Sequence, residues 1–359
     1  MNQSLAQKTF RNILVIKPSS LGDVVRCLPI LDGLRHRYPD ARLAWLIRSD
    51  CAAVLHHQPR LTLLPFDRRH LGRASRSLRV GVDLLRFLNS LRRQNFDLVI
   101  DLQGLFRSAM FALAGAPIRL GFAHAREFAA CFYTHRVAIA HTPEHVVESY
   151  WRFADALGFG QLPKHFALQI SSDARQGAQK LLAFHGFKSG EPYVVLLIGG
   201  TAPEKRWAPE RFAQLAHTLH KQAGVTCILL GAGHDERRAA DQVLMHMHNR
   251  AIDLVDRTTL PQAFALLKDA RCVIGNDTGP LHVAAALGTP LVGLYGPTDP
   301  AIVGPYGQLD GVVAPGGDIP RTSRYSRRPE HQMDRISVEE VLETLQVRHG
   351  ALLAGGPGA

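Results

Sequence analysis

Short apolar runs recur along the chain, separated by longer stretches in which apolar residues return every three or four positions. The runs at 13–17, 43–47, 61–65, 98–101 and 118–121 predict strands, and the periodic segments 23–37, 78–94, 105–113 and 145–157 predict helices. A second series follows, with strands at 193–198, 226–230, 272–275 and 291–295 and helices at 209–223, 236–246, 261–267 and 281–287. Strand runs that are apolar throughout belong to sheets covered on both faces, so the alternation predicts an α/β protein with two successive parallel sheets. The polar, Pro- and Gly-containing stretch 158–164 reads as the linker. This sets an N-terminal domain at 1–160 and a C-terminal domain at 161–335, followed by a helix at 336–349 and a flexible tail at 350–359. Residues 303–335 read as an extended surface excursion, and no internal sequence repeat is visible.

Composition agrees and adds one asymmetry. The 359 residues are 46% hydrophobic and 20% charged, enough for two cores and incompatible with wholesale disorder. The net charge of +11 is unevenly divided: residues 1–160 hold 22 Lys and Arg against 12 Asp and Glu, whereas residues 161–359 hold 20 against 19. The first half is therefore suited to an anionic partner and the second to a different ligand. Interleaved aromatics and a recognition helix are lacking, so nucleic acid is not the expected partner. Five scattered cysteines without a CxxC pair predict neither a disulfide framework nor a zinc knot. A cytoplasmic protein is expected, since no apolar signal core is read near residue 1 and Gly and Pro interrupt the longest uncharged stretch, 278–298.

In open parallel sheets ligands gather where loops leave the carboxyl ends of strands. Three polar clusters fall there. In Lys17-Pro18-Ser19-Ser20-Leu21-Gly22-Asp23, Gly22 permits a tight turn and Asp23 opens a helix; capping is the ordinary role of such an Asp, but Ser19 and Ser20 compete for it. In the loop 199–209 paired glycines, Thr201 and Lys205 precede a helix and suit phosphate, without Walker spacing. The segment 275–282 joins Asp277, Thr278 and Gly279 at a helix start to His282 one turn on. Asp235 and Glu236, after a strand and a short glycine turn, are candidates for ribose hydroxyls. The run Arg68, Arg69, His70, Arg73, Arg76 and Arg79 reads either as a solvated helix face or as a polyanion site.

In this order, ILVIKPSSLGD (13–23), DLQGLFRS (101–108), KRW (205–207), NDTGPLH (276–282) and YGPTDP (295–300) resemble the lipopolysaccharide core heptosyltransferases, most nearly those that add the first heptose. The resemblance covers nearly the whole chain. It implies a GT-B fold, two facing Rossmann-like domains with a cleft between them, and inverting transfer of heptose from ADP-heptose to the anionic Kdo-lipid A inner core, without a metal. It also implies a peripheral location on the inner face of the bacterial inner membrane. Asp23 matches the general base. Thr201, Lys205, Asp235, Glu236, Asp277, Thr278, Gly279 and His282 fall on the donor side; Ser19, Ser20, Gly22, Arg68, Arg69, Arg73, Gln103 and Arg126 fall on the acceptor side. The stretch Arg321 to Arg328 has no counterpart in the family pattern. Two alternatives stand beside this reading: a related GT-B transferase, such as one adding the second heptose, and a nucleotide- or glycan-binding protein without turnover.

Overall fold

The computed structural model describes residues 4–67, 78–113, 115–140, 142–247, 251–316 and 332–353. The chain divides into two compact units, Met1–Gln169 and Ile170–Ala359. The first carries β1 (Asn12–Ile16), α1 (Leu21–Arg26), α2 (Leu28–Arg37), β2 (Arg42–Arg48), β3 (Leu61–Phe66), α3 (Leu78–Arg92), β4 (Leu98–Asp101), α4 (Phe106–Ala112), β5 (Ile118–Phe122), β6 (His135–Val137) and α5 (Val146–Ala156). Its six strands pair in parallel in the order β3-β2-β1-β4-β5-β6. Ile13, Leu14, Val15 and Ile16 are fully buried, because the central strand is covered on both faces.

The second unit carries α6 (Ser172–Phe184), β7 (Tyr193–Leu197), α7 (Pro209–Ala223), β8 (Thr226–Leu230), α8 (His234–His246), β9 (Ile252–Asp253), α9 (Leu260–Asp269), β10 (Cys272–Asn276), α10 (Gly279–Ala286), β11 (Leu291–Leu294), α11 (Pro300–Val303), β12 (Val312–Val313) and α12 (Val338–Leu353). Its parallel order, β12-β11-β10-β7-β8-β9, repeats that of the first unit when read from the other edge. In each unit the chain direction switches beside the first strand, at β1/β4 and at β7/β10. The loops after those strands therefore lie side by side, where open sheets bind ligands.

Four expectations need correction. The boundary falls after Gln169 rather than at 160, because segment 161–169 is tied to the first unit: Gln58 Nε2 donates to the Ala167 carbonyl (2.5 Å), and Lys164 pairs with Glu148 (3.2 Å). The helix expected at 23–37 is two helices meeting at Cys27, since Pro29 has no N–H to continue the ladder. Helix α6 was not anticipated: it buries only Ala174, Ala178 and Leu182, a stripe too narrow to stand out. Finally, α12 continues through 350–353, with a break at His349. Among the described residues no helix is long and apolar enough to cross a membrane.

Candidate active site

In the second unit, Asn276 ends β10 and is completely buried. Its Nδ2 donates to the carbonyls of Ile198 (3.2 Å) and Gly199 (2.8 Å), and its Oδ1 accepts from the Trp207 backbone N–H (3.1 Å). One amide thus fixes the loop after β7 against the end of β10. That loop brings Lys205 Nζ to Asp277 Oδ2 at 2.5 Å, and the same oxygen accepts from Thr298 Oγ1 at 3.0 Å. His282 Nε2 lies 3.4 Å from Asp277 Oδ1. Burial opposes the Asp277 charge, but His282 and Lys205 hold the carboxyl well below the usual carboxylate range. Thr278 is the N-cap of α10 without capping it, and its buried Oγ1 has no hydrogen-bond partner among the described residues.

The structure separates the two acids at the start of α8. Asp235 is engaged on both oxygens, by Arg206 (2.9 Å) and Arg238 (3.1 Å), while Arg206 Nε also holds the Gly200 carbonyl (2.9 Å). Asp235 therefore braces the β7 loop. Glu236, half-buried, has no hydrogen-bond or ion-pair partner among the described residues and lies over the glycines that leave β7 and β8. A Cβ at Gly199 would come within 2.6 Å of Glu236 Oε1, and Gly233, at φ +121°, leaves space for the other oxygen. The glycines make room for a free carboxylate at the sheet's switch point. Thr201 is exposed on the same loop, and Gly279 is the first residue of α10.

The first unit presents a second cluster. Ser20 is the N-cap of α1 and Asp23 its third residue, so Asp23 completes a capping box. Asp23 Oδ2 accepts from Ser20 N–H (3.2 Å) and Oγ (3.1 Å), and Oδ1 accepts from Arg26 (3.1 Å). Burial works against ionisation of Asp23, yet the Lys17 ammonium and the Arg26 guanidinium lower its carboxyl below the ordinary value. Lys17, itself buried, donates to the Leu102 carbonyl (3.4 Å) and lies 5.1 Å from the centre of the Tyr150 ring. Gly22 is buried within α1, and Ser19 precedes the helix half-buried.

The neighbouring loop after β4 is organised by Asp101. This fully buried carboxylate accepts from Gln103 N–H (2.8 Å), Gly104 N–H (3.2 Å), Ser108 Oγ (2.9 Å) and Tyr133 Oη (2.8 Å). Burial pushes its pKa up and these donors oppose the shift, which marks it as a structural hub. Among the described residues Gln103 Oε1 is left without a partner, and the exposed Arg126 is fastened to the same loop by its N–H to the Gly104 carbonyl (3.0 Å). Arg68, Arg69, Arg73 and the Arg321 to Arg328 stretch lie outside the described residues. Sequence reasoning missed the roles of Lys17, Asn276, Arg206 and Thr298; only Lys17 carried a signal, as a cation directly following a buried strand.

With this geometry in place, comparison with known proteins is decisive. The profile of glycosyltransferase family 9 (heptosyltransferase) matches residues 84–327, about two thirds of the chain. The chain belongs to this family. It is similar to lipopolysaccharide heptosyltransferase 1 of Pseudomonas aeruginosa, with 31% identity covering 86% of this chain and 84% of the relative. It is also similar to the lipopolysaccharide core heptosyltransferase OpsX of Haemophilus influenzae, 24% identical over 92% of this chain and 95% of the relative. Among solved structures, E. coli heptosyltransferase WaaC with ADP superimposes with a TM-score of 0.74 at 25% identity, covering 94% of this chain and 99% of that one. A family 9 glycosyltransferase from Veillonella parvula shares the fold with a TM-score of 0.79 at 24% identity. As a family 9 member the chain is a heptosyltransferase-type glycosyltransferase of the GT-B fold class, which sets aside the reading as a binder without turnover.

Proposed function

We propose that this family 9 enzyme transfers heptose from ADP-heptose, with inversion, to the Kdo region of the lipopolysaccharide inner core. The acceptor is Kdo-lipid A on the inner face of the bacterial inner membrane. The second unit takes the donor and the first the acceptor. The observation that carries the donor assignment is the grouping, at one switch point, of Lys205, the unpartnered Thr278 hydroxyl and the unpartnered Glu236 carboxylate. Lys205 and the start of α10 suit the negative charge that grows on the diphosphate as the glycosidic bond breaks. Glu236 suits the ribose hydroxyls, which a free carboxylate binds and an ion-paired Asp235 does not.

In the first unit Asp23 accepts the proton of the acceptor hydroxyl as that oxygen bonds to the anomeric carbon. Ser19, Ser20, Gly22, Gln103 and the cations Arg68, Arg69, Arg73 and Arg126 belong to the acceptor side. Gln103 supports that reading through its unpartnered Oε1. No resident metal or other cofactor is part of the proposal. The carboxylates Asp277 and Asp235 are already engaged by Lys205 and Arg206, so neither stands free as a metal ligand.

The direct test is transfer by the purified protein from ADP-heptose to Kdo-lipid A, run beside an acceptor that already bears the first heptose. Transfer to the second acceptor alone would make the chain a second-heptose enzyme. The donor placement has a finer test. Glu236→Gln should weaken ADP and AMP equally, by about tenfold, because both carry the ribose and a charge-assisted hydrogen bond contributes about 1.5–3 kcal/mol. Calorimetry showing unchanged affinity for both would remove Glu236 from the nucleotide site.

A further inference from the structure

Two exposed aromatic rings of the first unit are explained neither by the core nor by the proposed chemistry. Phe128, 86% exposed, lies on the loop that leaves the carboxyl end of β5, and Phe106, 42% exposed, opens α4 directly after the loop that leaves β4. The loops are fastened together: Arg126 N–H donates to the Gly104 carbonyl at 3.0 Å, Phe106 N–H donates to Glu127 Oε2 at 3.3 Å, and the Phe106 and Phe132 rings meet edge to face at 5.4 Å. Beneath them Ala109, Ala129 and Tyr133 form a buried base. Glu127 and Phe128 both have left-handed backbone, at φ 57° and 61°. A bulky aromatic residue is disfavoured there, and this ring gains almost no packing within the chain in return. Arg107 and Arg126 flank the rings, both exposed, and Glu127 is the acid beside them.

We propose that Phe128 and Phe106, flanked by Arg107 and Arg126, form a docking face for an anionic lipid bilayer. Aromatic rings enter the boundary between headgroups and acyl chains, while guanidinium groups pair with lipid phosphates. The excess of 22 basic over 12 acidic residues in 1–160 supplies the long-range attraction. The inference rests on the proposed acceptor being lipid-anchored: the face lies on the same strand-end rim as the β1 and β4 loops, so docking would bring that rim to the membrane.

The test is sedimentation of the full chain with phosphatidylglycerol/phosphatidylethanolamine vesicles and with phosphatidylcholine vesicles. Binding is expected to the anionic vesicles and to weaken as salt rises. Phe128→Asn keeps a residue that tolerates left-handed backbone and should bind them about tenfold more weakly, the scale of removing a large apolar side chain from an apolar environment. Phe128→Trp should bind as the parent does. Phe184→Asn, which removes an apolar side chain 85% exposed on the second unit, should leave binding unchanged. Parent-strength binding by Phe128→Asn, or an equal loss with Phe184→Asn, would overturn the proposal. Transfer assays keep the two readings apart: Phe128→Asn should match the parent on a delipidated acceptor and show a raised KM on a vesicle-embedded one. No transfer by the parent to either acceptor would defeat the acceptor reading, while vesicle binding still decides the docking face.

Discussion

Asp23→Asn should lower kcat by about 10²-fold or more while leaving ADP affinity at the parent value, since the role proposed for Asp23 is that of a positioned base. The structure shows that this residue also caps α1, so the two roles must be separated. Asn retains an acceptor oxygen for the Ser20 N–H but presents an amide where Arg26 now finds a carboxylate oxygen. That exchange costs about 1 kcal/mol, a fall of about 2–4 °C in Tm for a unit of this size. A stability change so small cannot account for a hundredfold loss of turnover at 25 °C. The pH profile supplies the second arm. Because Lys17 and Arg26 lower the Asp23 pKa despite burial, the carboxylate stays charged as pH falls through the ordinary value near 4. The acid limb of kcat due to Asp23 should therefore lie below that value, and lowering the pH from 7 to 5 should not protonate it. A weak base suffices, because the acceptor hydroxyl becomes strongly acidic only as its oxygen bonds to the anomeric carbon. Near-parent turnover in a folded Asp23→Asn variant would leave Asp23 as a cap and nothing more.

Much of this site is legible in the sequence because parallel sheets buried on both faces write their strands as unbroken apolar runs. Ile13–Ile16 and Tyr193–Ile198 are such runs, and the polar loop after each is conspicuous. What stays hidden depends on partners distant in sequence. Asp235 and Glu236 are neighbours on the first turn of α8, yet a helix turns about 100° per residue and aims them differently. One meets Arg206 and the other rests above Gly199. Asn276 reads as one more polar residue of a cluster; its work lies in bonds to Ile198, Gly199 and Trp207, 69 to 78 positions away. The strands β6, β9 and β12 are two or three residues long, too short to show a period, and are held by the strands beside them. The unit boundary was misplaced for the same reason: the chain 161–169 is polar and linker-like, and only the reach of Gln58 to Ala167 makes it part of the first unit.

Lys205→Met should reduce turnover by about 10²–10³-fold, the range for deleting one group that stabilises developing charge. It should also weaken ADP more than AMP, because the proposed donor site sets the ammonium against the outer phosphate. The ion pair complicates the reading. Lys205 and Asp277 are both largely buried, and deleting one partner strands the other at a cost of about 3–5 kcal/mol. His282 and Thr298 remain to absorb part of that charge, so the single variant should be destabilised yet folded. The double variant Lys205→Met/Asp277→Asn removes the stranded carboxylate and keeps an oxygen for the Thr298 hydroxyl, so its Tm should recover toward the parent. Its turnover should not recover, because no cation has been returned to the proposed diphosphate site. Recovery of turnover along with Tm would mean that Lys205 serves only to neutralise Asp277, and equal weakening of ADP and AMP would move Lys205 away from the outer phosphate.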